Sequence, residues 1–136
     1  MNALPAPEDF ERGLDLFNHA RFFDAHEVLE DLWRAAPRDP PSGPNSRLHL
    51  QGMIQLAVAF HHESIGNLVG ARSVLARSLR NLARADLSFP ELDLDGLRAQ
   101  LAFWQEYLAG SAPRPNPPQI FKRRPPDRKP TAPARI

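Results

Sequence analysis

The chain has 136 residues, of which 42% are apolar and 24% charged, with 17 Lys and Arg against 16 Asp and Glu. That composition suits one globular domain with a single core. The absence of cysteine excludes a disulfide framework, a thiolate metal site and a cysteine nucleophile, and it agrees with a reducing cytoplasmic setting.

The first residues, Met1 to Pro5, lack a basic segment followed by an apolar run, so no signal peptide is expected. Phe10, Leu14 and Phe17 then recur at helical spacing and predict a helix over about Glu8–Asn18. A second helix is predicted over about Asp24–Ala35. Asp24 is its expected N-cap, with Glu27 three positions on as in a capping box. Four prolines between Pro37 and Pro44 forbid a helix there.

The third helix is expected from Asn45 or Ser46 to about Gly66. Its stretch from Leu48 to Phe60 contains no Asp, Glu, Lys or Arg, as befits a central helix apolar on most sides. It is too short to cross a bilayer and carries His49, Gln51 and Gln55, so no membrane insertion is expected. After a Gly66-Asn67 turn, a fourth helix over about Leu68–Ala85 turns Ala71, Val74, Leu75, Ser78, Leu79 and Leu82 inward, with Arg72, Arg77, Arg80 and Arg84 outside. Those arginines lack interleaved aromatics and read as a solvated face. A fifth helix runs from about Asp93 to Ala109, with Leu94, Leu97, Leu101, Trp104 and Leu108 inward and Gly110 as its stop.

The fold class is therefore all-α: about five helices in an antiparallel helical-hairpin bundle over residues 1–112. The hairpins look like those of tetratricopeptide proteins, but the Trp-Leu-Gly-Tyr consensus is missing, so no repeat is assigned. Residues 113–136 form a Pro-rich basic tail, extended or disordered, in which Ile120 and Phe121 are the apolar pair able to pin it to the body. Residues 1–112 hold 10 Lys and Arg against 15 Asp and Glu. The tail holds seven Lys and Arg against Asp127 alone. The partners are not specified by this pattern: it is compatible with a protein partner, self-association, or weak salt-dependent nucleic-acid contact through the tail.

One segment concentrates polar chemistry on an apolar face. With 100° per residue, His26, Glu30 and Trp33 share one side of the second helix with Phe22 and Leu29. Burying an ionisable pair is costly unless it is bonded, so His26 and Glu30 are expected to bond each other or a third group. Gln51, Gln55 and His62 form a polar stripe on the third helix. Packing of the two helices would gather all six residues into one internal cluster, in which His26→Ala would be strongly destabilising. Two readings follow. The leading one is a non-catalytic binding or interaction module with a structural His-Glu-Gln cluster. The alternative is an enzyme or metal protein that uses His26 and Glu30 with Gln51, Gln55 and His62. No cofactor is indicated. A metal would have to draw on His26, Glu30 and His62, yet Glu-x-x-His is absent and Glu30 replaces the second histidine of a zincin motif.

The pattern His-x3-Glu-x2-Trp at His26, Glu30 and Trp33 resembles the hallmark of the bacterial and archaeal domain-of-unknown-function family 309. So do its surroundings: Phe17-Asn18, Phe22 to Glu27, Gln51 to His62, and Gly66-Asn67. The resemblance covers about residues 10–85 and implies an all-helical fold and no particular activity. Pro41 stands where the family pattern has leucine, a departure that would re-route the following turn.

Overall fold

The computed structural model describes residues 7–36 and 45–123. It contains five helices: α1 (Pro7–Asn18), α2 (Phe22–Ala35), α3 (Ser46–Ser64), α4 (Leu68–Leu82) and α5 (Leu94–Leu108), with a 3-10 turn at Ala85–Leu87. The loop from Pro37 to Pro44, including Pro41, and the basic tail from Arg124 onward lie outside the described residues. The fold is all-α; among the described residues the one β feature is an isolated antiparallel bridge between Leu92 and Lys122.

α3 is the central helix, packed between α2 and α4, while α1 pairs with α2. Its residues Leu50, Leu56 and Ala57 are fully buried, as the charge-free stretch requires. Around them pack Leu14 and Phe17 of α1, Leu29 of α2, Leu75 of α4, and Leu97, Leu101 and Trp104 of α5. Gly52 lets α3 approach α4 closely. A Cβ there would lie 3.0 Å from the Leu82 side chain, and Ser78 donates to the Gly52 carbonyl at 2.8 Å. The hydroxyl thus fits an inward face because the crossing supplies its acceptor.

Three helices end in the same way. Residues Ala20, Gly66 and Gly110 take left-handed φ values of 62°, 86° and 85°. Each is followed by an amide that reaches back five positions, as in Arg21 to Leu16, Asn67 to His62 and Ser111 to Glu106. This is the Schellman ending, which satisfies the last carbonyls of a helix. Glycine enters that conformation freely; Ala20 holds it against a steric cost of about 1–2 kcal/mol.

Helix starts differ from expectation in one place. α2 begins at Phe22, with Arg21 at the cap position and no capping side chain. Asp24 lies in the first turn instead, ion-paired with Arg21, where its charge still favours the helix N-terminus. The Schellman turn at Ala20 feeds straight into α2 and leaves no room for a later start. Asn67 and Asp93 do cap α4 and α5, accepting from the amides of Gly70 and Gly96, each at 2.9 Å.

α4 stops at Leu82, before the expected Ala85, where Arg98 donates to the Leu82 carbonyl at 2.8 Å. Arg72, Arg77, Arg80 and Arg84 are exposed. No helix among the described residues is long and apolar enough to cross a membrane. Residues 112–123 run extended across the bundle as a strap. Ile120 and Pro118 are buried, while Phe121 is exposed and contributes its carbonyl, which accepts from the Asp93 amide.

Candidate functional site

The true core stripe of α2 is Phe22, Ala25, Leu29 and Leu32, a 3-4-3 spacing. His26, Glu30 and Trp33 stand one step round the helix, at the margin of that stripe. His26 Nε2 lies 3.2 Å from Glu30 Oε1, with side chains 22% and 37% exposed. The other ring nitrogen, Nδ1, faces the Phe23 carbonyl at 3.3 Å. Arg34 approaches the same Glu30 oxygen at 3.4 Å. The pair is therefore partly solvated and engaged within its own helix.

Phe23 covers it. Its ring is 49% exposed and packs against His26 at 5.5 Å and His61 at 5.2 Å between centroids. His61 belongs to the side of α3 that meets α2. His62, about 100° further round, takes the α4 side, where its Nδ1 lies 3.3 Å from the side-chain Nδ2 of Asn67. Gln55 lies on that side too and accepts from Asn81 of α4 at 2.7 Å. Gln51 sits one turn before Gln55, partly buried. Of the six expected cluster residues, the structure joins His26 and Glu30 and sends the α3 stripe to the other side of the central helix. Neither His26 nor Glu30 hydrogen-bonds Gln51, Gln55 or His62 among the described residues. Because α3 has neighbours on both flanks, its polar stripe turned toward α4.

Trp33 has a different task. Its indole N–H donates to the Arg47 carbonyl at 3.2 Å. The Arg47 guanidinium lies 4.2 Å over the Trp33 ring and donates to the carbonyls of Trp33 and Ala36 at 2.7 and 2.8 Å. Arg47 thereby caps the C-terminus of α2 and ties it to the start of α3.

Two buried polar sites were missed by pattern reading. His49, Met53, Leu56, Phe60 and Glu63 follow a 4-3-4-3 spacing, so the apolar stripe of α3 carries an ionisable group at each end. That spacing was visible in the sequence. At the first end, His49 Nδ1 and the Ser88 hydroxyl share a 2.6 Å hydrogen bond. At the other, Arg114 of the strap holds both Glu63 oxygens, at 2.8 and 3.0 Å. The Glu63 carboxylate holds the Arg114 guanidinium above its ordinary pKa. Beside this pair a cleft of about 130 Å3 opens between Ala20, Phe22, Phe60, Trp104 and the strap prolines, away from His26. No group of three or more His, Asp or Glu among the described residues is arranged to hold a metal ion.

Burial pushes the His49 imidazole below its ordinary 6.5, with Asp86 partly opposing. Between the lowered value and 6.5 the unfolded chain binds more protons than the folded one. Stability is therefore complete above 6.5 and falls as pH drops through that window. Urea unfolding at about pH 7.5 and about pH 5 should show this loss, and His49→Gln should flatten it. An unchanged slope in His49→Gln would show that other groups set the pH dependence.

A family profile described as "Domain of unknown function (DUF309)" matches residues 10–74. Residues 10–74 belong to the DUF309 family. The chain is also similar to the uncharacterized protein YpuF of Bacillus subtilis, at 36% identity over 74 residues, 54% of this chain and 40% of YpuF. An uncharacterized protein of Aquifex aeolicus is 27% identical over 104 residues, 76% of this chain and 28% of that protein. The chain thus spans well under half the length of these relatives. No solved structure matches it. The DUF309 segment runs from α1 into α4, so it contains the Phe23, His26, Glu30 and His61 face and the Trp33–Arg47 tie. α5 and Arg114 lie beyond it.

Proposed function

We propose that this chain is a non-catalytic helical interaction module of the cytoplasm, which docks a protein partner on the face formed by Phe23, His26, Glu30 and His61. The observation that carries this reading is Phe23: a large aromatic at a helix start, half exposed, held in place by two imidazoles. A rigid aromatic flanked by polar groups is the composition of an interface anchor. Two further apolar side chains are exposed near the α3–α4 turn: Ile65, four positions after His61, at 64%, and Val69 in the first turn of α4 at 82%. An apolar patch rimmed by polar residues marks an interaction surface on a folded protein.

The chemistry of His26 supports the same reading. Both its nitrogens face oxygen atoms of its own helix, so the ring is held in place by local partners and presents its face to Phe23.

A photo-crosslinking residue placed at position 23, in the source organism, should yield a discrete adduct with one protein. The same residue at position 77, on the arginine face of α4, should not. Adding His61→Ala to the position-23 probe should weaken the adduct. Equal labelling from both positions, or none from position 23, would contradict the assignment.

A further inference from the structure

The strap is bound to the bundle in the way a protein binds a foreign peptide. Two side-chain amides read its main chain at consecutive residues. Gln100 donates to the Gln119 carbonyl at 2.8 Å and accepts from the Gln119 amide at 2.9 Å. Asn18 donates to the Ile120 carbonyl at 2.9 Å and accepts from the Ile120 amide at 2.7 Å. The run continues as a short ladder: Phe121 accepts from the Asp93 amide, and the Arg123 amide donates to Glu91. Main-chain bonds of this kind fix an extended segment whatever its side chains, and pockets for alternate residues add selectivity.

The pockets are present. Pro118 and Ile120 are buried. The Trp104 indole donates to the Asn116 carbonyl at 3.1 Å. Arg114 sets the start of the segment with its two-pronged hold on Glu63, its guanidinium 5.3 Å over the Trp104 ring. Planar pairing of this kind selects arginine over lysine. The groove therefore specifies an arginine, then an extended proline-containing stretch, then an isoleucine.

Between the groove and the end of α5 lies a short connection, residues 109–113, with Gly110 in the left-handed conformation. We propose that this groove is a peptide-recognition site, and that the same segment of a second copy of the chain can fill it. The resident strap is its cis occupant, favoured by the high effective concentration of a short tether. A second copy offers the identical ligand, and exchange of an identical element across a short hinge is a low-cost route to a dimer. The site is separate from the Phe23 face, so its fate does not bear on the reading given above.

The test uses the full chain with Ser111, Ala112 and Pro113 deleted. Three residues of extended chain shorten the tether by about 10 Å, too much for Arg114 to reach Glu63 of its own bundle. Light scattering should show a mass twice that of the monomer, and adding Ile120→Asp should return it to the monomer. A folded, monomeric deletion variant would overturn the proposal. A second measurement does not depend on that variant folding. Full-length Ile120→Asp, whose own strap is weakened, should bind a labelled peptide with the sequence of residues 114–123 saturably, while a peptide carrying the same Ile→Asp change should not bind. Failure of the unaltered peptide to bind would equally overturn it.

Discussion

Replacing Trp104 by alanine should cost about 3–5 kcal/mol, the range for removing a large aromatic from a packed core. Trp104 is 1% exposed. Its ring meets Phe60 edge-on at 4.9 Å and Tyr107 at 5.6 Å, so the substitution removes aromatic contacts as well as area. It also removes the indole donor to Asn116 and the surface beneath Arg114. Since a domain of this size is stable by roughly 5–15 kcal/mol, the loss would take a large share of the total. Trp104→Phe should retain most of the packing and lose the hydrogen bond, a cost nearer about 1 kcal/mol. Urea unfolding followed by circular dichroism measures both. A Trp104→Ala loss below that of Trp104→Phe would show that the indole is not the shared support of core and strap.

Arg114→Ala should be the next most costly change. It leaves the Glu63 carboxylate, 7% exposed, without its two-pronged partner. Stranding a buried charge costs about 3–5 kcal/mol when both partners are enclosed. Here Arg114 is 52% exposed, water can approach the gap, and the expected loss is about 2 kcal/mol. Combining Arg114→Ala with Glu63→Gln should recover part of it, because a neutral amide is less costly to leave unpaired than a charge. Equal stability of Arg114→Ala and wild type would mean that the pair holds the strap no better than its main-chain bonds already do.

The helices were legible because their periodicity is strong. Leu94, Leu97, Leu101 and Trp104 on α5, and the charge-free run of α3, left little choice of face. The position of the polar pair was harder to read. The 100° rule set His26 beside Glu30, as the 3.2 Å pair shows, but it did not foresee that Trp33 would bond Arg47 or how far the buried sector of α2 extends. Phe22, Ala25, Leu29 and Leu32 fill that sector, and the pair sits at its edge, half in water.

The partners expected on α3 failed to meet it for a related reason. A helix with neighbours on two sides has two polar margins, and Gln55 and His62 occupy the margin facing α4. The strap has no period to detect. It is held by Asn18, Gln100 and Glu63, which are about 100, 20 and 50 positions distant in sequence and carry no local signal of their partners.

The most direct test of the central claim, that the His26–Glu30 pair belongs to the docking face and not to the supports of the fold, is the melting of His26→Ala and Glu30→Ala with and without chelator. A partly solvated i,i+4 pair contributes about 0.3–1 kcal/mol. Both variants should therefore melt close to wild type, and chelator should move none of the three. A loss of several kcal/mol in His26→Ala would restore the pair to the core. Chelator-sensitive stability in wild type, abolished by either substitution, would make it a metal site.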